Sequence, residues 1–255
     1  QPTLRLRRSQ DRGFEDFGWT DNWLTFSFGG YRSHEWNNFG PLRVVVENHI
    51  QPHSGFPSHS HRDAEIITYV SAGTLTHRDS FGNTAAVSAG GVQVISAGSR
   101  GMVHSEQNLH DVVEHNLQIW IIPDRAPTEF SYADLSFTRE ERQGRFRLYV
   151  SPDGRDQSVR INADVHISAG LFSRGDHYHH PLASGRGAWI QVVHGGVDLT
   201  IPGAAPVTLA AGDGIGITDL ANTADGTGAA IGFTFHDSSE VVLFDVNMKS
   251  RLLWQ

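Results

Sequence analysis

Short runs of β-branched and aromatic residues, each closed by a glycine corner, recur along this chain and confine it to an all-β fold. Glu65-Ile66-Ile67-Thr68-Tyr69-Val70 stops at Ser71-Ala72-Gly73, and Val92-Gln93-Val94-Ile95 stops at Ser96-Ala97-Gly98. Leu117-Gln118-Ile119-Trp120-Ile121-Ile122, Trp189-Ile190-Gln191-Val192-Val193 and Val241-Val242-Leu243-Phe244 repeat the pattern. Runs of this length with glycine-marked corners are the signature of short antiparallel strands in a small barrel or jelly roll. With 255 residues, the chain is long enough for two such barrels.

Two halves are expected, 1–130 and 131–255. Asp124-Arg125-Ala126-Pro127 breaks the strand pattern, and Thr138-Arg139-Glu140-Glu141-Arg142-Gln143-Gly144 reads as one helical turn or a loop between the halves. Corners at Gly195-Gly196, Gly212-Asp213-Gly214 and Gly226 divide the second half. No apolar stretch approaches the ~18 residues of a spanning helix, so no membrane role is expected. The basic start, Gln1 to Arg8, lacks the apolar run of a secretory signal. The absence of cysteine excludes disulfides and thiolate ligands and fits a cytoplasmic location. A net charge of −8 argues against a nucleic-acid partner.

Chemistry concentrates in the first half. His59-Ser60-His61 and His104-Ser105-Glu106 are each spaced i, i+2, so on a strand both side chains of a pair share a face. Two such strands side by side aim three imidazoles and one carboxylate at one point. With 15 histidines in the chain, a His-x-His arises about once by chance, and His177-Tyr178-His179 is a second example. The two pairs in the first half carry more weight because each sits beside a strand-then-glycine unit. His59, His61, His104 and Glu106 are therefore the expected ligands of one divalent transition metal. Iron is the first choice, and manganese, cobalt, nickel, copper or zinc also suit this donor set. Four protein ligands leave a six-coordinate ion two positions, enough for an organic substrate and dioxygen. His177, His179 and His180 form a lesser candidate without a matching second strand.

Several neighbours are candidates for the surroundings of the ion. Phe28, Ala64, Met102, Gln118 and Trp120 are expected to line a substrate pocket. Glu65 is placed either to hold a ligand imidazole by its free N–H or to serve a surface or structural role. His77 falls in what reads as a hairpin corner, His77 to Asn83, with a turn role or one behind the ligands.

At these residues the chain resembles the pirins, bicupins of the cupin superfamily, and most closely the shorter bacterial pirin-like quercetinases. The motifs include Gly55-Phe56-x-x-His59-x-His61-Arg62-Asp63-x-Glu65, His77-x-Asp79-Ser80-x-Gly82-Asn83, His104-Ser105-Glu106 and Gln118-Ile119-Trp120-Ile121-x-Pro123. Ser151-Pro152-Asp153-x-Arg155-Asp156 and Leu243-Phe244-Asp245 match in the second half. The resemblance implies two antiparallel β-barrels of jelly-roll type packed face to face, with metal in the first and a degenerate site in the second. It implies a dioxygenase that cleaves a flavonol or another enol-bearing aromatic with O2, with Glu106 as its base. Pirins also include regulators, so a metal-sensing protein acting through a protein partner is the alternative. Three departures fall around the site: Ser60 where the family usually has proline, Ala64 where a bulky residue is common, and an additional residue in Ser99–Val103.

Overall fold

The computed structural model describes residues 1–126, 129–221 and 229–254; Pro127 and Gly226 lie outside the described residues. The fold is all-β, as the sequence predicts, and every strand pairing named below is antiparallel. Two compact units are present. One comprises Arg12–Phe137, Pro152–Ala163 and Arg251–Gln255, and the other Gln1–Asp11, Thr138–Ser151 and Asp164–Ser250. The boundary expected at residue 130 is a single cut, whereas each unit takes a segment from the other side of it. Among the described residues no helix is long and apolar enough to cross a membrane.

The first unit pairs a seven-stranded sheet with a four-stranded one. In the larger sheet the order is Ser131–Ser136, Gly91–Ser96, Glu65–Ala72, Glu114–Ile121, Leu42–Ile50, Thr20–Leu24 and Gly13–Asp16. The smaller has Ser54–His61, Met102–Asn108, Thr74–Asp79 and Thr84–Ser88. The second unit follows a similar plan, with six strands in its larger sheet and four in its smaller. Its larger sheet runs Thr3–Arg7, Gly214–Thr218, Arg186–His194, Ser239–Asn247, Val165–Phe172 and Arg145–Ser151; its smaller runs His177–Leu182, Ala229–Phe235, Gly196–Thr200 and Val207–Ala210. The turn expected around residue 138 is the short helix Arg139–Arg142, started by a reciprocal capping box between Thr138 and Glu141.

The interiors differ in kind. In the second unit one continuous apolar cluster fills the space, with Phe172 stacked on Phe235 at 3.9 Å and Ile190, Leu199, Ile231 and Phe233 around them. In the first, small apolar clusters around Ile66, Val70 and Val46 stand beside buried Thr68, His77, Gln93, His104, Glu106 and Glu114. Burying polar groups costs free energy unless they find partners, so this interior is built for something other than stability.

Glu114 illustrates that cost. Burial raises its carboxyl to about 8, the hydrogen bond from Asn116 offsets part of this, and Glu106 adds to the rise. The folded state therefore holds a proton that the unfolded chain releases near its ordinary 4.5. The stabilisation is whole below about pH 4.5 and is lost as pH rises through about 8. Glu114→Gln should flatten the fall in melting temperature between pH 5 and 9, removing on the order of a few kcal/mol of pH dependence. Circular-dichroism melts of both proteins across that range are the check; parallel curves would clear Glu114 of the role.

Candidate metal centre

Strand alternation brings the predicted imidazoles together. Along Ser54–His61 the exposure pattern puts His59 and His61 on the inner side and Ser60 outside, and along Met102–Asn108 it buries Met102, His104 and Glu106. The two strands pair with His61 opposite Met102 and His59 opposite His104. Past that point the register shifts, so that Glu106 faces Phe56, and one additional residue bulges from the Ser54–His61 strand. Pro57 sits in this bulge, where its missing N–H costs no ladder bond. Its carbonyl accepts a hydrogen bond from His59 Nδ1 at 2.7 Å. That fixes the tautomer of His59 and leaves the Nε2 lone pair aimed inward. Gly101 closes the approach from the other side: its φ is +77°, and a Cβ there would meet the His61 carbonyl at 2.8 Å.

The ligand atoms of His59, His61 and His104 lie within 4.8 Å of one another. His59 Nε2 and His104 Nε2 are 3.0 Å apart, close to the ~3.0 Å that separates adjacent ligands of a six-coordinate ion at about 2.1 Å. Burial, followed by the neighbouring His59 charge, holds His61 down at about 4. Burial, with His59 and His61, holds His104 down at about 2. These rings are neutral at pH 7 and present lone pairs, which is the state a metal requires.

Glu106 follows on the same strand face but is not one of this close group. Its carboxylate is fully buried in a polar cradle. Thr68 Oγ1 donates to Oε1 at 3.1 Å, Gln93 Nε2 donates to the same oxygen, and Gln118 Nε2 donates to Oε2 at 3.0 Å. Burial raises its carboxyl to about 7, with the three hydrogen bonds pulling the other way. Thr68 and Gln93 escaped the sequence reading. Their signal was a polar residue in the middle of each of two mostly apolar strands, and they are register partners.

The pocket candidates divide. Trp120 stands edge-on to His61 at 4.8 Å and to Phe28 at 5.0 Å, so all three form one wall. Ala64 and Met102 belong to the apolar cluster against which Trp120 packs. An open groove of about 560 Å³ reaches His61, lined also by Arg62, Phe81, Arg100 and Met102. Of the five candidates only Met102 is on its lining.

The structure decides two readings. Glu65 holds no imidazole: Ser96 Oγ donates to it at 2.5 Å and Asn162 Nδ2 at 3.0 Å. His61 ends a strand of the smaller sheet and Glu65 begins one of the larger, with the corner at Asp63 (φ +54°) between them, so no common strand phases the two side chains. His77 is not in a corner but in the strand Thr74–Asp79, opposite Glu106, stacked on Tyr132 at 4.4 Å and bonded to Asp79 at 2.9 Å. In the second unit, His177, His179 and His180 do not gather. They occupy one strand, where His177 meets Thr234 and His180 faces Asp245.

Similar proteins bear on this geometry. The pirin family model matches residues 5–121, and that for the quercetinase C-terminal cupin domain matches residues 148–246. A quercetin 2,3-dioxygenase of Escherichia coli K12 is 38% identical over 95% of this chain and 98% of its own length. A pirin-like protein of Caulobacter vibrioides is 35% identical over 91% and 95%. The crystal structure of a bacterial pirin from Escherichia coli in complex with nickel(II) superposes with a TM-score of 0.85 at 35% identity, covering 96% of this chain and 99% of that one.

Proposed function

The chain belongs to the pirin family, and on that premise we propose that it is a metal-dependent dioxygenase acting on a flavonol or another aromatic that bears an enol. The observation that carries this reading is the convergence of three imidazoles beside a buried carboxylate. His59, His61 and His104 would hold the metal, with Glu106, two residues along the same strand face from His104, as the fourth ligand and the proton acceptor. The donor set suits iron first among the transition metals, because neutral imidazoles with one carboxylate and open positions match non-haem oxygenase sites. When bound, the metal would supply a Lewis-acidic, redox-capable centre for the reaction with dioxygen.

The work of the side chains follows from their contacts. Glu106 takes the proton of the substrate enol at a carboxylate oxygen, and its raised pKa matches it to a weakly acidic hydroxyl near neutral pH. Gln118, Thr68 and Gln93 fix the carboxylate so that it does not reorganise during the transfer. Trp120 and Phe28 keep water from one side of His61. The groove lined by Met102, Phe81 and Arg100 is the approach for the aromatic ring. The metal is assigned to the first half, 1–130; in the second, 131–255, no group of three ligand-type side chains gathers among the described residues, and the interior around Phe172 and Phe235 is apolar.

Oxygen consumption by metal-loaded protein tests this with a matched pair of compounds. A flavonol should be consumed and its 3-deoxy analogue, the flavone, should not, because it has no enol proton to give. Equal uptake with both would remove the enol from the mechanism. No uptake with any flavonol would return the alternative of a metal-sensing regulator that works through a protein partner.

A further inference from the structure

A second gathering of ligand-type side chains lies on the first unit's larger sheet. Glu47 and His49 lie on the opposite side of the Leu42–Ile50 strand from Val46 and Asn48, and His115 and Asp21 are the cross-strand partners of His49. Ligand atoms of Glu47, His49 and His115 come within 4.8 Å of one another. His115 Nε2 is 2.8 Å from Glu47 Oε1, and His49 Nε2 is 3.9 Å from the same oxygen. These two separations bracket the ~3.3 Å between donors of a tetrahedral zinc ion.

Two of the three donors are held from behind. Asp21 Oδ1 lies 2.6 Å from His49 Nδ1, so that nitrogen carries the proton and donates it. This is the carboxylate–histidine pairing that orients metal-bound imidazoles. A neutral His49 then turns its Nε2 lone pair on a carboxylate oxygen, two acceptors face to face, which is unfavourable unless a cation lies between them. Arg12 Nη1 holds Glu47 Oε2 at 2.7 Å and leaves Oε1 as the one oxygen directed at both rings. Glu47 and His115 are nearly buried, whereas His49 is 32% exposed and Asp21 40%, which gives an ion a path from solvent.

We propose that Glu47, His49 and His115, with Asp21 behind His49, form a second metal site for a borderline divalent ion such as zinc or cobalt, separate from the His59/His61/His104 group. Two nitrogens and one oxygen with an open fourth position are the ligand number of an accessible zinc site. The ion takes the place of the proton between His115 and Glu47, and the Arg12 charge offsets part of its attraction to the carboxylate, which places the affinity below that of the first site.

Cobalt(II) titration of the full chain, stripped with a chelator, reads this directly through stoichiometry and visible absorption. Wild type should bind two equivalents, His49→Ala one, and His104→Ala one, with the last showing the spectrum of the second site alone. Asp21→Asn should keep both equivalents and weaken the second about 10–100-fold. His49 is partly exposed, so its replacement should leave the fold intact, checked by circular dichroism. Anomalous diffraction from wild-type crystals soaked in cobalt gives an arm free of substitutions: a peak between Glu47 Oε1 and His49 Nε2 is expected. One equivalent in wild type with none lost in His49→Ala, or no peak there, would overturn the site and leave a protonated His49 as the bridge.

Discussion

Glu106→Gln should lose about 100-fold or more of its oxygen uptake per bound metal, the usual scale for removing a general base. The amide keeps the size of the carboxylate and offers one oxygen to a metal, but it does not take a proton near neutral pH. Its environment makes the change informative. Three donors point at the carboxylate, and Gln118 or Gln93 can turn its own amide to accept from the new NH2, so the interior should survive. The measurement is uptake with a flavonol divided by metal content, wild type against variant. Equal rates per metal would dismiss Glu106 as the base and leave it a ligand alone.

His104→Ala should abolish metal at the first site while leaving the barrel folded. Three lone pairs converge there, and losing one of them should cost more than the 10–100-fold in affinity that loss of an outer partner costs. The fold should persist because the apolar clusters around Ile66 and Ile95, Val70 and Leu75, and Val44 and Val46 stand without the ion. Elemental analysis should find one equivalent fewer than in wild type, oxygen uptake should vanish, and the far-ultraviolet spectrum should be unchanged. An unfolded variant would show that the ion organises the barrel.

The gathering of His59, His61 and His104 was legible in the sequence because its information is local. His59 and His61, and His104 and Glu106, are each two residues apart, and the strand period alone turns each pair to one side. Whatever depended on pairing between distant segments was not. The cradle of Glu106 joins Thr68, Gln93 and Gln118 from three strands, and no spacing along the chain announces that meeting. Of the two roles open to Glu65, the structural one holds, because a corner at Asp63 separates it from His61 and places it in the other sheet. Glu47, His49 and His115 passed unnoticed for the same reason as the cradle, since 68 positions separate Glu47 from His115. The all-β class needed only composition and corners; the assignment of segments such as Pro152–Ala163 to the first unit needed contacts.

The bulge at Pro57 sets what kinds of inherited change this site can absorb. Between Phe56 and His59 the chain spends three steps where its partner, from Glu106 to His104, spends two. That odd step falls at Pro57 and Ser58, and the register on either side of it is whole. Lose one residue there and the ladder closes evenly with His59 still opposite His104, but the Pro57 carbonyl that accepts from His59 Nδ1 is displaced. A substitution at Ser58 or Ser60 alters one side chain, whereas a one-codon deletion at the bulge costs His59 the acceptor that orients its ring. The length of the stretch therefore matters to the site through one hydrogen bond more than through its pairing.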